Sequence, residues 1–401
     1  MPDSLPPPPS VPILDDLRRF DAFGRATECA VEAGIPYYVN EFWTAGQRRA
    51  HAIHEISYRA CFKPQLPRFF IARLTAPGEA VHDPFMGRGT TPIEAALLGR
   101  RPLGNDINPL AVLLARPRLA PPPPAAVAAR LHEIPWDGAA PDRDDLLVFY
   151  HPATLARLAA LRAYLLARCP PDNPAPDPVD DWIRMVALNR LSGHSPGFFS
   201  VRTMPPNQAV SVAAQRRMNA RAGAVPPERD VAGLILRKSR ALLADGAPDA
   251  RGALFVGPAE ATAAIADATV ALTVTSPPFL DVVHYAGDNW LRLWFAGIDP
   301  ATVPIALHRS EAAWHGMVRA VLAEQARILR PGGHVAFEVG EVRGGRVLLE
   351  RLVWAAAEGL PFDRLGVMVN RQDFTKTAHC WGVANMRAGT NSNRIVLLRR
   401  R

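Results

Sequence analysis

The run Val81-His82-Asp83-Pro84-Phe85-Met86-Gly87-Arg88-Gly89-Thr90-Thr91 decides how the rest of the chain is read. An apolar, extended segment ends on Asp83, and two glycines follow one residue apart. The helix-forming run Ile93-Glu94-Ala95-Ala96-Leu97-Leu98 comes next. Strand, glycine turn and helix in that order place a nucleotide-like ligand at the carboxyl edge of a parallel sheet. Gly87 and Gly89 let main chain approach such a ligand, and the helix start offers N–H groups to a carboxylate or phosphate. Taken alone, the two glycines fit a tight turn without a ligand equally well. Further on, Arg101-Pro102-Leu103-Gly104-Asn105-Asp106 is a second short strand ending in an acid. It lies about 20 residues past the glycines, where dinucleotide sites keep the carboxylate for ribose hydroxyls. Pro92 stands where a third glycine would complete G-x-G-x-x-G, which turns the reading away from nicotinamide and flavin cofactors.

The chain has 401 residues and is 48% hydrophobic, so one large domain with an insertion, or two domains, is expected. No apolar run of about 18 residues occurs, so no membrane span is expected. The proline-rich start lacks the basic and apolar parts of a signal peptide. Cys29, Cys61, Cys169 and Cys380 have no metal-ligand spacing and read as reduced intracellular thiols. A cytoplasmic protein without a metal site is the expectation. The net charge of +8 suits a polyanionic partner without requiring one.

Residues 1–12 read as a proline-rich tail and residues 13–35 as helical, which makes 1–35 an N-terminal region. A further helix is predicted over residues 46–62, with His51 and His54 on a solvated face. Residues 36–119 hold the strand–helix–strand–helix unit, which the prolines at 121–124 end. Residues 120–250 lack that rhythm and read as a largely helical insertion. Inside it, residues 189–208 carry Arg190, His194, Arg202, Asn207 and Gln208 among glycines and aromatics, and a basic helix with Arg216 and Arg217 follows. This mixture suits a loop that tracks a nucleic-acid backbone and reads bases, and equally an ordinary surface loop with a charged helix. Residues 251–401 resume the sheet. A strand at 271–275 delivers Thr275-Ser276-Pro277-Pro278-Phe279. Strands near 364–369 and 394–398 are predicted to close as an antiparallel hairpin, whose polar connecting loop includes Lys376.

Asp83-Pro84-Phe85-x-Gly87-x-Gly89-Thr90-Thr91, followed by Gly104-x-Asp106-Ile107-Asn108-Pro109, resembles the S-adenosylmethionine site of amino-group DNA methyltransferases. The segment from Phe62-Lys63-Pro64 to Gly78 is similar to the one that precedes that site. Ser276-Pro277-Pro278-Phe279 resembles the catalytic Ser-Pro-Pro-aromatic tetrad of the same family. The resemblance implies an α/β fold: a Rossmann-like methyltransferase sheet, mostly parallel with a C-terminal antiparallel hairpin, carrying the helical insertion. It implies S-adenosylmethionine as cofactor. Asp83, Phe85, Gly87 and Gly89 would line its methionine side, Thr90 and Thr91 would lie near the carboxylate with Lys63 a further candidate, and Asp106 would take the ribose hydroxyls. Where the family has an acid against the adenine, this chain has Gly257-Pro258-Ala259-Glu260, which leaves Glu260 as the replacement. The cofactor motif precedes the tetrad, as in the class whose target-recognition region is inserted between them. Residues 120–250 are therefore expected to recognise the target, between a cofactor-binding half (36–119) and a catalytic half (251–401).

A base amine is a poor nucleophile because its lone pair is delocalised into the ring. Two acceptors on its hydrogens polarise it, and by the resemblance these are Ser276 Oγ and the Pro277 carbonyl. The two prolines remove N–H donors and fix φ, so the carbonyls stay aimed. Phe279 would stack on a base rotated out of the duplex. Cytosine C5 chemistry needs a cysteine nucleophile, usually after proline, and no Pro-Cys occurs. By the resemblance, serine at the head of the tetrad, commoner among the family's cytosine enzymes, favours N4 of cytosine over N6 of adenine. An RNA base methyltransferase and a non-catalytic DNA-binding protein are the remaining readings. The expected partners are double-stranded DNA and a cognate restriction endonuclease, for a monomer or homodimer.

Overall fold

Strands buried on both faces make up the middle of the molecule. In the computed structural model these include β3 (Ala80–Asp83) and β6 (Val270–Thr275), buried along their whole length. Such near-continuous apolar runs are what a parallel sheet covered on both sides requires. The structure describes residues 13–44, 50–58, 61–137, 142–205, 209–280, 285–304, 308–342, 346–371 and 392–401. The remaining sheet strands are β1 (Glu28–Glu32), β2 (Ile35–Asn40), β4 (Arg101–Asp106), β5 (Ala253–Val256), β7 (Leu329–Val339), β10 (Phe362–Arg371) and β11 (Ser392–Arg400). A separate short ribbon pairs β8 (Glu341–Val342) with β9 (Val347–Leu348). The nine-stranded order is β1-β2-β10-β11-β7-β6-β3-β4-β5. β5, β4, β3, β6 and β7 run parallel, and β11 lies antiparallel between β7 and β10. This is the Rossmann-like methyltransferase sheet with its C-terminal hairpin. Asp83, Asp106 and Thr275 all fall at carboxyl ends of its strands, around the point where the order reverses between β3 and β6.

Alternating residues split the sheet between two cores. Val81, Leu272, Val274 and Ala336 face α1 (Ile13–Arg19), α2 (Gln65–Leu74) and α3 (Thr90–Leu97). Val335, Phe337, Val367 and Val396 face α11 (Glu311–Ile328) and α12 (Leu349–Ala356). The insertion is helical: α5 (Pro124–Glu133), α6 (Pro152–Arg168), α7 (Pro178–Arg190), α8 (Val212–Ala222) and α9 (Val231–Leu242). It shares one apolar core with α3, α4 (Pro109–Ala115) and α10 (Tyr285–Ala296) through Ile93, Leu110, Leu114, Trp182, Ile235 and Leu291. The insertion is thus fused to α3, α4 and α10 through a common core. Arg168 and Arg130 hold the buried Asp180, and Arg116 holds the buried Asp181, which spares both carboxylates an unpaired burial. No helix among the described residues is long and apolar enough to cross a membrane.

Two local expectations fail. Among its described residues the N-terminal region is helical only over α1. Residues 28–32 and 35–40 instead form a hairpin whose two-residue turn, Ala33 and Gly34, has φ of 48° and 77°. Paired positive φ values match the twist of a tight hairpin, and Ile35 and Tyr37 are buried on one face with Tyr38 on the other, as in a strand covered on both sides. The helix predicted over 46–62 is also absent among its described residues, apart from one 3-10 turn at Ala52–His54. Side chains from elsewhere occupy the backbone groups of Ile56 and Ser57. Arg88 Nη1 donates to Ile56 O, Asn189 Oδ1 accepts from Ser57 N, and Arg292 Nη2 donates to Ser57 O. A helix ladder would forfeit all three. His54 is buried against Glu94, not solvated.

Candidate active site

β3 ends on Asp83, which is 1% exposed. Its Oδ1 accepts from Phe85 N at 3.1 Å and from Thr275 Oγ1 at 2.6 Å, and its Oδ2 has no hydrogen-bond partner among the described residues. Burial pushes this carboxyl up to about 7, against the opposing pull of the Thr275 hydroxyl and the Phe85 N–H. Four residues on, Gly87 turns the chain with φ +49° and donates its N–H to Asp106 Oδ2 at 2.9 Å. Asp106 Oδ1 accepts from Asn108 N, also at 2.9 Å, and burial holds that carboxyl up at about 6. The two carboxylates at the ends of neighbouring strands are therefore fixed by backbone N–H groups before any ligand arrives.

A cavity of about 530 Å³ opens beside them. Phe85, Gly87, Asp106 and Glu260 line it together with Ser276 and Pro278, so the two distant motifs share one cleft. Tyr58, Asn108, His308 and Met317 complete the wall and were not singled out by sequence. Lys63, Asp83, Gly89, Thr90, Thr91, Pro277 and Phe279 are not among the lining residues; Asp83 lies buried next to the lining Pro84. Gly89 instead meets α4: a Cβ there would come within 2.5 Å of Ala115 Cβ. Thr91 Oγ1 donates to Val274 O at 3.0 Å and so fastens α3 to β6, while Thr90 Oγ1 accepts from Arg88 Nε. Lys63 is half-buried, which lowers its pKa. Pro277 is buried, and Phe279 packs against the core under α11.

The tetrad is braced from behind. Trp314 Nε1 donates to Pro278 O at 2.9 Å from a fully buried position on α11. Ser276 Oγ donates to Glu338 Oε2 at 2.6 Å, and Asn393 Nδ2 donates to Glu338 Oε1 at 3.0 Å. Burial raises the Glu338 carboxyl, while Ser276 and Asn393 pull it back. Glu338 escaped the sequence reading. Its one signal was an acid inside the apolar run 335–339. Asn105 was likewise missed; its Nδ2 reaches Gly257 O at 2.8 Å and holds the loop that carries Glu260.

The residues expected to touch nucleic acid lie on the insertion. Arg190 packs its guanidinium 4.1 Å from the Phe198 ring centre, and the exposed His194 ring is 6.0 Å from that ring. Arg202, Arg216 and Arg217 are exposed. Asn207, Gln208 and Lys376 lie outside the described residues.

Residues 36–116 match the family model described as DNA methylase, for N6 and N4 enzymes. A stretch of 72 residues is 38% identical to the type II methyltransferase M.MjaII of Methanocaldococcus jannaschii, covering 18% of this chain and 13% of that enzyme. The chain thus spans about an eighth of that relative's length. Among solved structures, TrmN of Thermus thermophilus aligns over 88% of this chain and 53% of its own, at 14% identity and a TM-score of 0.35. A second Thermus thermophilus protein, assigned as a DNA modification methylase and solved with S-adenosyl-L-methionine, aligns over 36% of this chain and 53% of its own, at 24% identity and a TM-score of 0.22. The site also passes a chemical test for this cofactor. Asp83, a buried carboxylate beside the lining Pro84 with one unpartnered oxygen among the described residues, calls for a cation such as the methionine ammonium, and Asp106 on the cavity wall suits ribose hydroxyls. The match to the DNA methylase family is confined to residues 36–116, and S-adenosylmethionine is the cofactor it supports.

Proposed function

We propose that the chain methylates an exocyclic base amine in double-stranded DNA, N4 of cytosine in preference to N6 of adenine, with residues 120–250 recognising the target. The observation that carries this reading is that Gly87 and Ser276 line one cleft, and that the strands presenting them are joined by the hydrogen bond from Thr275 to Asp83. Bound S-adenosylmethionine supplies an electrophilic methyl on a sulfonium. Asp83 and Asp106 hold the two ends of the cofactor by charge and by hydroxyl bonds. Ser276 gives its own proton to Glu338, which leaves the Oγ lone pairs turned outward to accept an amine N–H. The Pro277 carbonyl is the second acceptor on that amine. Trp314 fixes the turn through Pro278 O, so neither acceptor must reorganise when charge develops on nitrogen. The methylated amine must shed one proton. Ser276 Oγ and, behind it, the Glu338 carboxylate are placed to receive it. The target base reaches the cleft by leaving the stack, as base-modifying enzymes require.

Modification-sensitive sequencing of a host genome that expresses the chain tests the proposal. N4-methylcytosine in a fixed context is the expected result. N6-methyladenine would move the target base and keep the site. Tritiated methyl transfer to tRNA but not to duplex DNA would overturn the substrate. Transfer unaffected by Ser276→Ala would overturn the assigned chemistry.

A further inference from the structure

Residues 55–58 carry Tyr58 to the cavity, and three cations from three helices gather around them. Arg292, on α10 and 8% exposed, donates to Ser57 O at 2.8 Å and to Asn289 Oδ1 at 2.6 Å. Arg190 ends α7, stacks on Phe198 and spends its Nε on Asn189 O at 2.9 Å. Neither guanidinium forms an ion pair within 4 Å among the described residues, and neither Nη of Arg190 makes a hydrogen bond there. Lys238, on α9, has a side chain 11% exposed, and its one carboxylate partner among those residues is Glu55, 3.4 Å away and 68% exposed. Each cation feels its burial first: Arg190 and Arg292 are both held down to about 10, and Arg190's charge depresses Lys238 further. Asp288 offsets part of the Arg292 charge, but Arg190 and Lys238 face only the solvated Glu55 among the described residues, which is costly unless an anion joins them. The polar segment with His194 and Arg202 leaves α7 just beyond Arg190, and Arg292 bonds Ser57, the neighbour of the cavity-lining Tyr58, so the cluster joins the insertion to the segment that reaches the cavity.

We propose that Arg190 and Lys238 together bind one backbone phosphate of the duplex that presents the target base, with Arg292 supplying charge from behind; the identity of the ligand rests on the proposed function. Arg190 offers a planar fork of free Nη donors, and Lys238 offers a point charge beside it. Glu55 occupies the cation in the absence of the duplex and gives way to the phosphate.

The test is binding of a short fluorescent duplex at several salt concentrations. Arg190→Gln and Lys238→Gln should each weaken binding about tenfold. Each should also flatten the plot of log affinity against log salt by about 0.9, the contribution of one phosphate. The double variant should flatten it no further, because one phosphate is shared. Glu55→Gln should tighten binding, since it removes the competing acid. Binding of S-adenosylhomocysteine should stay within about twofold in all of them, which separates loss of a contact from loss of the fold. An unchanged salt slope in both single variants would overturn the site, as would Glu55→Gln weakening the complex. Inorganic phosphate stabilising the wild type against heat, but not Arg190→Gln, with duplex affinity equal in the two, would overturn the nucleic-acid assignment in favour of a free anion. Duplex binding with these slopes but no methyl transfer would sink the proposed function and leave the phosphate site standing.

Discussion

Thr275 Oγ1 donates to Asp83 Oδ1 across 2.6 Å, and this bond ties the strand that presents Ser276 to the strand that presents Gly87. It also leaves Asp83 with one satisfied and one unpartnered oxygen. Burial raises this carboxyl from 3.8 to about 7. An acid raised on folding binds its proton more tightly in the native state. Stability of the ligand-free protein therefore falls as pH rises from about 4 to about 7 and levels above that. Asp83→Asn should remove this part of the slope, read as a smaller drop in Tm between about pH 5 and about pH 7.5. The same variant should bind S-adenosylmethionine about 10- to 100-fold more weakly by calorimetry, the scale of a lost charge-assisted hydrogen bond. Wild-type affinity should rise through about pH 7 as the carboxylate forms. Equal cofactor binding by Asp83→Asn would remove Asp83 from the site.

Ser276→Ala should lower turnover by about 100- to 1,000-fold, the size of a lost preorganised polar contact. Cofactor binding should stay within about threefold, because Ser276 is assigned to the amine. Glu338 sets the pH dependence. Burial raises its carboxyl, so at acid pH it is protonated and cannot accept from Ser276. Turnover should rise as pH climbs through that raised range. Glu338→Gln should lose about 10- to 100-fold and flatten the rise. A Glu338→Gln enzyme with the wild-type pH profile would reduce Glu338 to a structural residue.

Trp314 contributes to the site without lining it. Trp314→Phe keeps most of the apolar volume and deletes the bond to Pro278 O. The stability loss should be about 2 kcal/mol, from one hydrogen bond and a small cavity. Turnover should fall while S-adenosylhomocysteine affinity holds, since the freed turn is on the amine side of the cleft. Unchanged kcat in a folded Trp314→Phe enzyme would mean that Pro278 is held by its neighbours alone.

The sheet was legible because its strands are short apolar runs closed by an acid or a Ser-Pro-Pro turn, and both signals are local. The C-terminal hairpin followed from two apolar runs flanking a polar loop, and β10 and β11 pair as expected. Residues 28–40 and 50–58 misled for a common reason. Their conformation is set by distant partners: β2 lies beside β10, and Asn189, Arg292 and Arg88 claim the backbone of Ile56 and Ser57. Composition within a window carries no trace of those partners. In the candidate site, Gly87, Asp106 and Ser276 were readable because a motif names them. Glu338, Asn105 and Trp314 were not, because each acts by crossing the sheet to a residue 62, 152 and 36 positions away.

The two glycines of the turn also divide their labour in a way that spacing alone does not reveal. Gly87 lines the cavity, and a Cβ there would meet only Tyr58 Cε1 at 3.6 Å. Gly89 has φ +80° and would drive a Cβ to within 2.5 Å of Ala115 Cβ. Gly89→Ala should therefore cost about 2–4 kcal/mol, from left-handed strain plus overpacking. Gly87→Ala should cost about 1 kcal/mol, from strain alone, and fall mainly on cofactor affinity. Adding Ala115→Gly to Gly89→Ala removes the clash but not the strain. The double variant should regain about half of the lost stability, a coupling that denaturant titration of the four-member cycle measures directly. Strict additivity of the two changes would mean that α4 yields freely, and that Gly89 is required by its backbone angle and not by its packing against Ala115.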